Sequence, residues 1–290
     1  MNFFEKYRAI SGRFFNSYVE KNLESYKNIH HDLRLANINI MLREYISICY
    51  FTLFLVMAVS IPSLLVIFLL MEKGIVLSLL LASGIGLGIS FGSFVVALKY
   101  PMTKADERKR SIENNLPFAV LYMNTIAGTG SPPYLIFKLL TEFKEYGEVS
   151  VEAQRIVEEV EIMGQDIEVA MQRTADETPS KQLRDLLWGM ITTIVGGGDL
   201  KALLKEEASF LMNDYRRRME EYTNTLTMYV EVYITLVIVG SIFGLVMSTI
   251  MGTISGFAGL RVMQELLVFV FLPIASIVFI MLLKVTSPIS

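Results

Sequence analysis

The sequence predicts an all-α membrane protein, with four transmembrane helices and a cytoplasmic helical bundle made of antiparallel helix pairs. Three observations lead there. Of 290 residues, 53% are hydrophobic and 19% charged, whereas soluble domains have about 45–50% and about 25%. The apolar excess lies in two blocks flanking a polar middle, which is the composition of a membrane protein. In that middle, apolar residues recur at helical spacing, and neither strand alternation nor an Asn-Gly hairpin signal occurs.

Residues 1–45 open MNFFEKYRAISGRFF and stay polar. They lack the basic, apolar, small-residue order of a cleavable signal, so they read as an N-terminal cytoplasmic amphipathic segment and the first span as retained. A bilayer core of about 30 Å takes roughly 20 apolar residues in a helix. Four stretches suffice: Ile46–Met71, Ile75–Leu98, Leu226–Ile250 and Leu266–Leu283. Glu72-Lys73-Gly74 joins the first two into a membrane hairpin over 46–98, and the last two form another over 226–284. Lys and Arg mark the cytoplasmic face. They crowd before the first span and between the second and third, while the connecting loops hold only Lys73 and Arg261. Both termini, the tail 285–290 and the middle 99–225 are therefore expected in the cytoplasm, in a multi-pass protein of the cell (inner) membrane.

The middle reads as a series of capped helices. Leu116, Ala119, Val120, Met123, Ile126 and Ala127 form one apolar stripe. Ser131 is expected to cap PPYLIFKLLTEFKEYG, Ser150 to cap VEAQRIVEEVEIM, Ser180 to cap KQLRDLLWGMITTIV, and Asp199 to cap a long helix that runs unbroken into the third span. NTIAGTGSPP and TTIVGGGDLK superpose at an offset of 68 residues. Turn glycines Gly128 and Gly130 then fall on Gly196 and Gly198, and Ser131 on Asp199. Glycine reaches positive φ at no steric cost, so each stretch closes one helix and opens its antiparallel partner. The repeat is either a pseudo-symmetric pair of helix hairpins or the chance recurrence of a common turn.

Chemistry-bearing motifs do not assemble. GGGDLK lacks the G-x-x-x-x-G-K-[ST] spacing of a phosphate loop, and GTGSPP has prolines where backbone donors are needed. His30 and His31, the only histidines, are adjacent on a helix and point about 100° apart. Cys49 is the sole cysteine, and a net charge of −3 carries no nucleic-acid footprint. No catalytic, cofactor or metal site emerges.

The spans do carry a pattern. Gly84, Gly88 and Gly92 recur every fourth residue, with Ala82, Gly86 and Ser90 on a neighbouring stripe; Gly240, Gly244, Ser248 and Gly252 repeat the spacing in the third span. Small residues let helix backbones approach closely in lipid, either within one subunit or between subunits. Glu231 is an intramembrane acid, a functional candidate unless it lies at headgroup level. The basic clusters Arg108-Lys109-Arg110 and Arg216-Arg217-Arg218 lie near spans, where anionic headgroups attract them.

LPFAVLYMNTIAGTGSPPYLIFKLL is similar to the start of the domain shared by type II secretion F-type proteins, and IVGGGDLKALLKEEASFL to its later half. HDLRLANINIMLREYIS resembles the lead-in of archaeal and tight-adherence members. The resemblance covers about 111–250. It implies a non-enzymatic platform of a type IV filament machine (pilus, archaellum or type II secretion-like) that couples a hexameric secretion ATPase to insertion of pilin-like subunits. It also implies membrane lipid contact, a homo-oligomer or pairing with a second platform subunit, no nucleic acid and no cofactor. Many members carry two cytoplasmic domains where this chain has one, and no acidic motif matches the calcium sites of some members. The lysines around the glycine turns, Lys138, Lys144, Lys201 and Lys205, are the candidate ATPase contact. The reading from another class, a small transporter or channel subunit, wants polar groups at mid-membrane, which these spans scarcely offer beyond Glu231.

Overall fold

The computed structural model describes residues 26–38, 40–70, 75–255 and 264–286. All regular elements among them are helical: α1 (Lys27–Leu35), α2 (Leu42–Leu70), α3 (Ile75–Ala127), α4 (Pro133–Leu140), a 3-10 turn (Lys144–Tyr146), α5 (Glu148–Glu161), α6 (Ile167–Glu177), α7 (Lys181–Val195), α8 (Leu200–Tyr233), α9 (Gly240–Ser255) and α10 (Leu272–Thr286). Among the described residues, four helices are long and apolar enough to cross a membrane: Leu42–Leu70, Ile75–Ala127, Leu200–Ile254 and Gln264–Lys284. The turn at 72–74, the loop holding Gly256 and Arg261, and the last four residues lie outside the described residues. The chain divides into two compact units, Met1–Lys205 and Glu206–Ser290.

In the first unit, α2 and α3 pack side by side as the membrane hairpin. The face that α3 turns to α2 is Ser78, Ala82, Gly86 and Ser90, all buried. A Cβ on Gly86 would lie 2.7 Å from Ile61 Cγ1 and 3.4 Å from Ile61 Cα, whereas at Gly84, Gly88 and Gly92 it would meet nothing within 4 Å. The close approach thus uses the neighbouring stripe and not the glycine ladder, because only one stripe of a helix can face a single partner. Below the hairpin, α1 folds against α3 and α2 around Leu33, Leu42, Tyr45, Ile46 and Cys49, with Phe94, Ala97 and Leu98 from α3.

α3 is longer than the sequence suggests. The 53-residue helix carries Pro101 and Pro117 internally, where a separate span and bundle helix were expected. Proline has no N–H, so Pro101 leaves the carbonyl of Ala97, four residues back, without its ladder donor. Tyr45 Oη supplies the missing bond, donating to Ala97 O at 2.5 Å. Tertiary packing on both sides of the break holds the helix where propensity alone would end it.

The far half of α3 forms the bundle with α4, α5 and α7, and α6 joins through α5 and α7. Leu116, Met123, Phe137, Leu140, Ile156 and Leu187 close on one another around a small gap, as the apolar stripe requires. Ser180 caps α7 through Leu183 N, and Asp199 Oδ1 accepts from Lys201 N at 2.9 Å and Ala202 N at 3.3 Å. The other two caps are corrections. α4 ends at Leu140 with Pro132 at its cap and no side-chain bond. α5 begins at Glu148, two residues before Ser150, whose hydroxyl donates to Phe143 O instead.

In the second unit, six residues, Ile234–Val239, are π-helical between α8 and α9, and five, Leu267–Phe271, precede α10 in the same form. Tyr233 stacks on Phe279 at 4.3 Å between ring centroids, and its hydroxyl lies 2.9 Å from Ser276 Oγ. Gln264 Nε2 donates to Ser248 Oγ at 2.9 Å and to Thr249 Oγ1 at 3.0 Å. Ser248 is buried, Gly244 and Gly252 half-buried, and a Cβ on Gly240 would meet nothing within 4 Å. Glu231 is exposed on α8.

Candidate functional site

The densest polar arrangement among the described residues sits where α3 leaves the hairpin and enters the bundle. Its centre is Arg108, which the sequence placed among surface cations for lipid. Arg108 is only 3% exposed, so it is not available to headgroups. Its Nε donates to Glu148 Oε2 at 2.8 Å, its Nη2 to Glu152 Oε1 at 2.7 Å, and its Nη1 to Leu35 O. One guanidinium thereby joins the lead-in helix α1, the long helix α3 and the start of α5. The planar fork of arginine suits this; a lysine could not present three directed donors in fixed geometry.

Local backbone chemistry brings α5 to that point. Gly147 adopts φ 55°, ψ −127°, and a Cβ there would lie 2.8 Å from Ser111 Oγ and 3.1 Å from Asn115 Nδ2. Only glycine allows both the conformation and the close approach to α3, and Glu148 N then donates to Ser111 Oγ at 3.3 Å. Glu152 is 1% exposed and reaches the gap in the apolar core. Desolvation raises its carboxyl above the ordinary range, and the charges of Arg108 and Arg155 pull part of the way back. A signal for this centre existed in the sequence. Ala105, Ile112, Leu116 and Ala119 are buried at helical spacing, and Arg108 falls on the same stripe, as Glu152 does among Val149, Ala153 and Ile156.

The two glycine turns end their helices alike and then part. Gly128 N bonds Asn124 O and Gly196 N bonds Thr192 O, each at 3.0 Å; Thr129 N bonds Ile126 O at 3.0 Å and Gly197 N bonds Ile194 O at 3.1 Å. Up to here the offset of 68 holds bond by bond. Gly197 then takes φ 65°, one residue earlier in register than Gly130 with φ 77°. Gly198 N closes back on Thr193 O at 2.8 Å, a Schellman ending. The left-handed positions are therefore Gly130 and Gly197, while Gly196 is right-handed at φ −77°. Ser131 Oγ bonds Thr129 Oγ1 at 2.7 Å and caps nothing. The turns do lie together: Lys201 Cε is 3.9 Å from where a Cβ on Gly128 would be.

The four candidate lysines are not one patch of free charges. Lys138 Nζ is 2.8 Å from Glu161 Oε1 and 5.6 Å from the Tyr134 ring centroid. Lys144, Lys201 and Lys205 are exposed. Lys109, Arg110 and Arg216 are exposed as well, while Asp214 engages Arg217 at 2.7 Å and Arg218 at 3.3 Å. His30 and His31 lie exposed on α1, and no metal-holding cluster occurs among the described residues.

Comparison with known proteins locates this architecture. Residues 119–248 match the family described as type II secretion system (T2SS), protein F. Over 139 residues the chain is 28% identical to an uncharacterized protein of Methanocaldococcus jannaschii, a match covering 48% of this chain and 23% of that one. It is 27% identical over 140 residues to flagella accessory protein J of the same organism, covering 48% of this chain and 25% of the relative. The corresponding protein J of Methanococcus voltae is 28% identical over 138 residues, 47% of this chain and 25% of the relative. The matched region thus spans about a quarter of the length of these curated relatives. No solved structure matches. Residues 119–248 are thus similar to the type II secretion system protein F family, and two of the relatives that match this chain are flagella accessory proteins.

Proposed function

We propose that this protein is a non-enzymatic membrane platform of a type IV filament machine. In this reading it couples a hexameric secretion ATPase in the cytoplasm to insertion of pilin-like subunits. The observation that carries the reading is the F domain of residues 119–248, whose first helix is the continuation of a membrane-crossing helix. A platform needs such a connection, since work done on the cytoplasmic side has to reach subunits held in lipid. The flagella accessory proteins among the relatives support the filament context. The platform acts as an oligomer or beside a second platform subunit.

Orientation follows from the Lys/Arg bias. Reporter fusions at Gly147 are expected to read cytoplasmic and fusions after Lys73 external. The opposite pair of signals would refute the topology and the coupling with it.

In this reading the ATPase meets the end of the bundle where the two turns lie together. Lys201 and Lys205 are exposed there, and mixed rim charge steers transient encounters. Reversing both, Lys201→Glu with Lys205→Glu, is expected to leave helix content unchanged and to weaken capture of the partner ATPase about tenfold or more, mainly at low salt. Unchanged capture at physiological ionic strength would remove these residues from the contact.

A further inference from the structure

A groove of about 480 Å³ opens on the side of the bundle formed by α5 and α6, lined by Asn37, Val151, Arg155, Glu158, Glu159 and Arg173 among others. Its lining sets Arg155 and Arg173 against Glu158 and Glu159, but the ion pairs run on to carboxylates outside it. The linked ion pairs comprise Arg108, Arg155 and Arg173 against Glu148, Glu152, Glu159 and Glu177, and Glu158 adds a further carboxylate at the rim. Arg155 is already held by Glu177, and Glu152 lies 3.9 Å from its Nη1.

Glu159 is the informative residue. It is 5% exposed, and its Oε2 accepts no hydrogen bond. Arg173 Nη1 stands 3.4 Å from that oxygen without the direction a hydrogen bond needs, and Arg173 itself is half-exposed. A buried carboxylate oxygen without a donor costs free energy until a donor arrives. Beside it, Glu158 is exposed and shares one oxygen with Gln154 Nε2 at 2.8 Å. The groove therefore offers a cation one desolvated carboxylate and a second at its rim, in a space large enough to admit a long side chain.

We propose that this groove receives a single arginine or lysine side chain from a segment of a partner protein, its cationic head seated on the buried Glu159 carboxylate with Glu158 at the rim. Arg173 keeps the position in the absence of the partner and swings into solvent when the segment binds. The site is independent of which machine the platform serves.

The test uses the full chain in lipid nanodiscs and a short fluorescent glycine-serine peptide bearing one central arginine, compared with the same peptide bearing citrulline. Anisotropy titration is expected to show the arginine peptide binding about tenfold tighter or more, the scale of a charge-assisted hydrogen bond. Glu158→Gln with Glu159→Gln should erase that difference, and Arg173→Ala, which removes the competing cation, should tighten binding several-fold. Glu161→Gln, outside the groove and paired with Lys138, should change nothing. If the double glutamine variant loses helix content, Met163→Trp decides, because Met163 lines the groove yet is 61% exposed, and tryptophan there fills the space without touching a charge. Equal binding of the two peptides, or a difference that survives the glutamines or the tryptophan, would overturn the proposal and leave the groove to water.

Discussion

Arg108→Leu is expected to destabilise the cytoplasmic bundle by about 3–5 kcal/mol, the range for removing one partner of a buried ion pair. The variant takes away the donors of Glu148 Oε2, Glu152 Oε1 and Leu35 O together. Leucine replaces the aliphatic stem, so the loss is electrostatic and not a cavity. Denaturant unfolding followed through Trp188 should show it, with Arg110→Leu, an exposed neighbour, within about 0.5 kcal/mol of wild type. The deficit has a pH signature. The carboxyl of Glu152 already sits above its ordinary value, from desolvation first, with Arg108 among the groups lowering it; without Arg108 it rises further. A carboxyl raised in the folded state binds its proton more tightly folded than unfolded, so stability grows as pH falls through the folded value toward the unfolded one. The gap between variant and wild type should therefore narrow as pH drops from 7 toward about 4. A gap that widens, or an Arg108→Leu protein as stable as Arg110→Leu, would show that the junction carries no such strain.

Gly86→Leu is expected to separate the two helices of the first membrane hairpin, while Gly88→Leu, two residues along, leaves them joined. The difference is geometric: even a Cβ at Gly86 would stand 2.7 Å from Ile61 Cγ1, and at Gly88 it would meet nothing within 4 Å. Overpacking of this kind costs about 1–3 kcal/mol or more, and lipid supplies no hydrophobic push to offset it. Cysteine pairs engineered between α2 and α3 near Ile61 should lose cross-linking in Gly86→Leu and keep it in Gly88→Leu. Equal cross-linking in both would contradict the packing of this hairpin.

The helical class and the four spans were legible because composition and length decide them. The bundle stripe of α3 was legible for the same reason that Ser180 and Asp199 were, since each is a local rule about which atom needs burial or a donor. What escaped was set by contacts distant in sequence. Pro101 marks a helix break unless Tyr45, over fifty residues away, can serve the carbonyl it frees. Arg108 reads as one of three adjacent cations unless α5 is known to bring Glu148 and Glu152 to it. Gly147 reads as a helix stop, whereas its positive φ starts α5 and moves the boundary past Ser150. In the glycine turns the endings match bond for bond, and the later divergence depends on which glycine turns left-handed, a choice that three adjacent glycines leave open.

The length of α3 has a mechanical consequence. Its 53 residues at about 1.5 Å each reach roughly 80 Å, of which a bilayer core takes about 30 Å. The remainder is a lever arm that pivots where Tyr45 grips Ala97 and Arg108 holds α1. From Ala97 to Ala127 the helix runs on for about 45 Å, so a tilt of about 10° in the span sweeps the far end sideways by roughly 8 Å. A displacement of about 8 Å at the turns around Gly128 therefore corresponds to a reorientation that moves the opposite end of α3, about 33 Å from the pivot, by roughly 6 Å. The gearing runs both ways: force applied at the distal end reaches the bilayer multiplied, over a correspondingly shorter stroke.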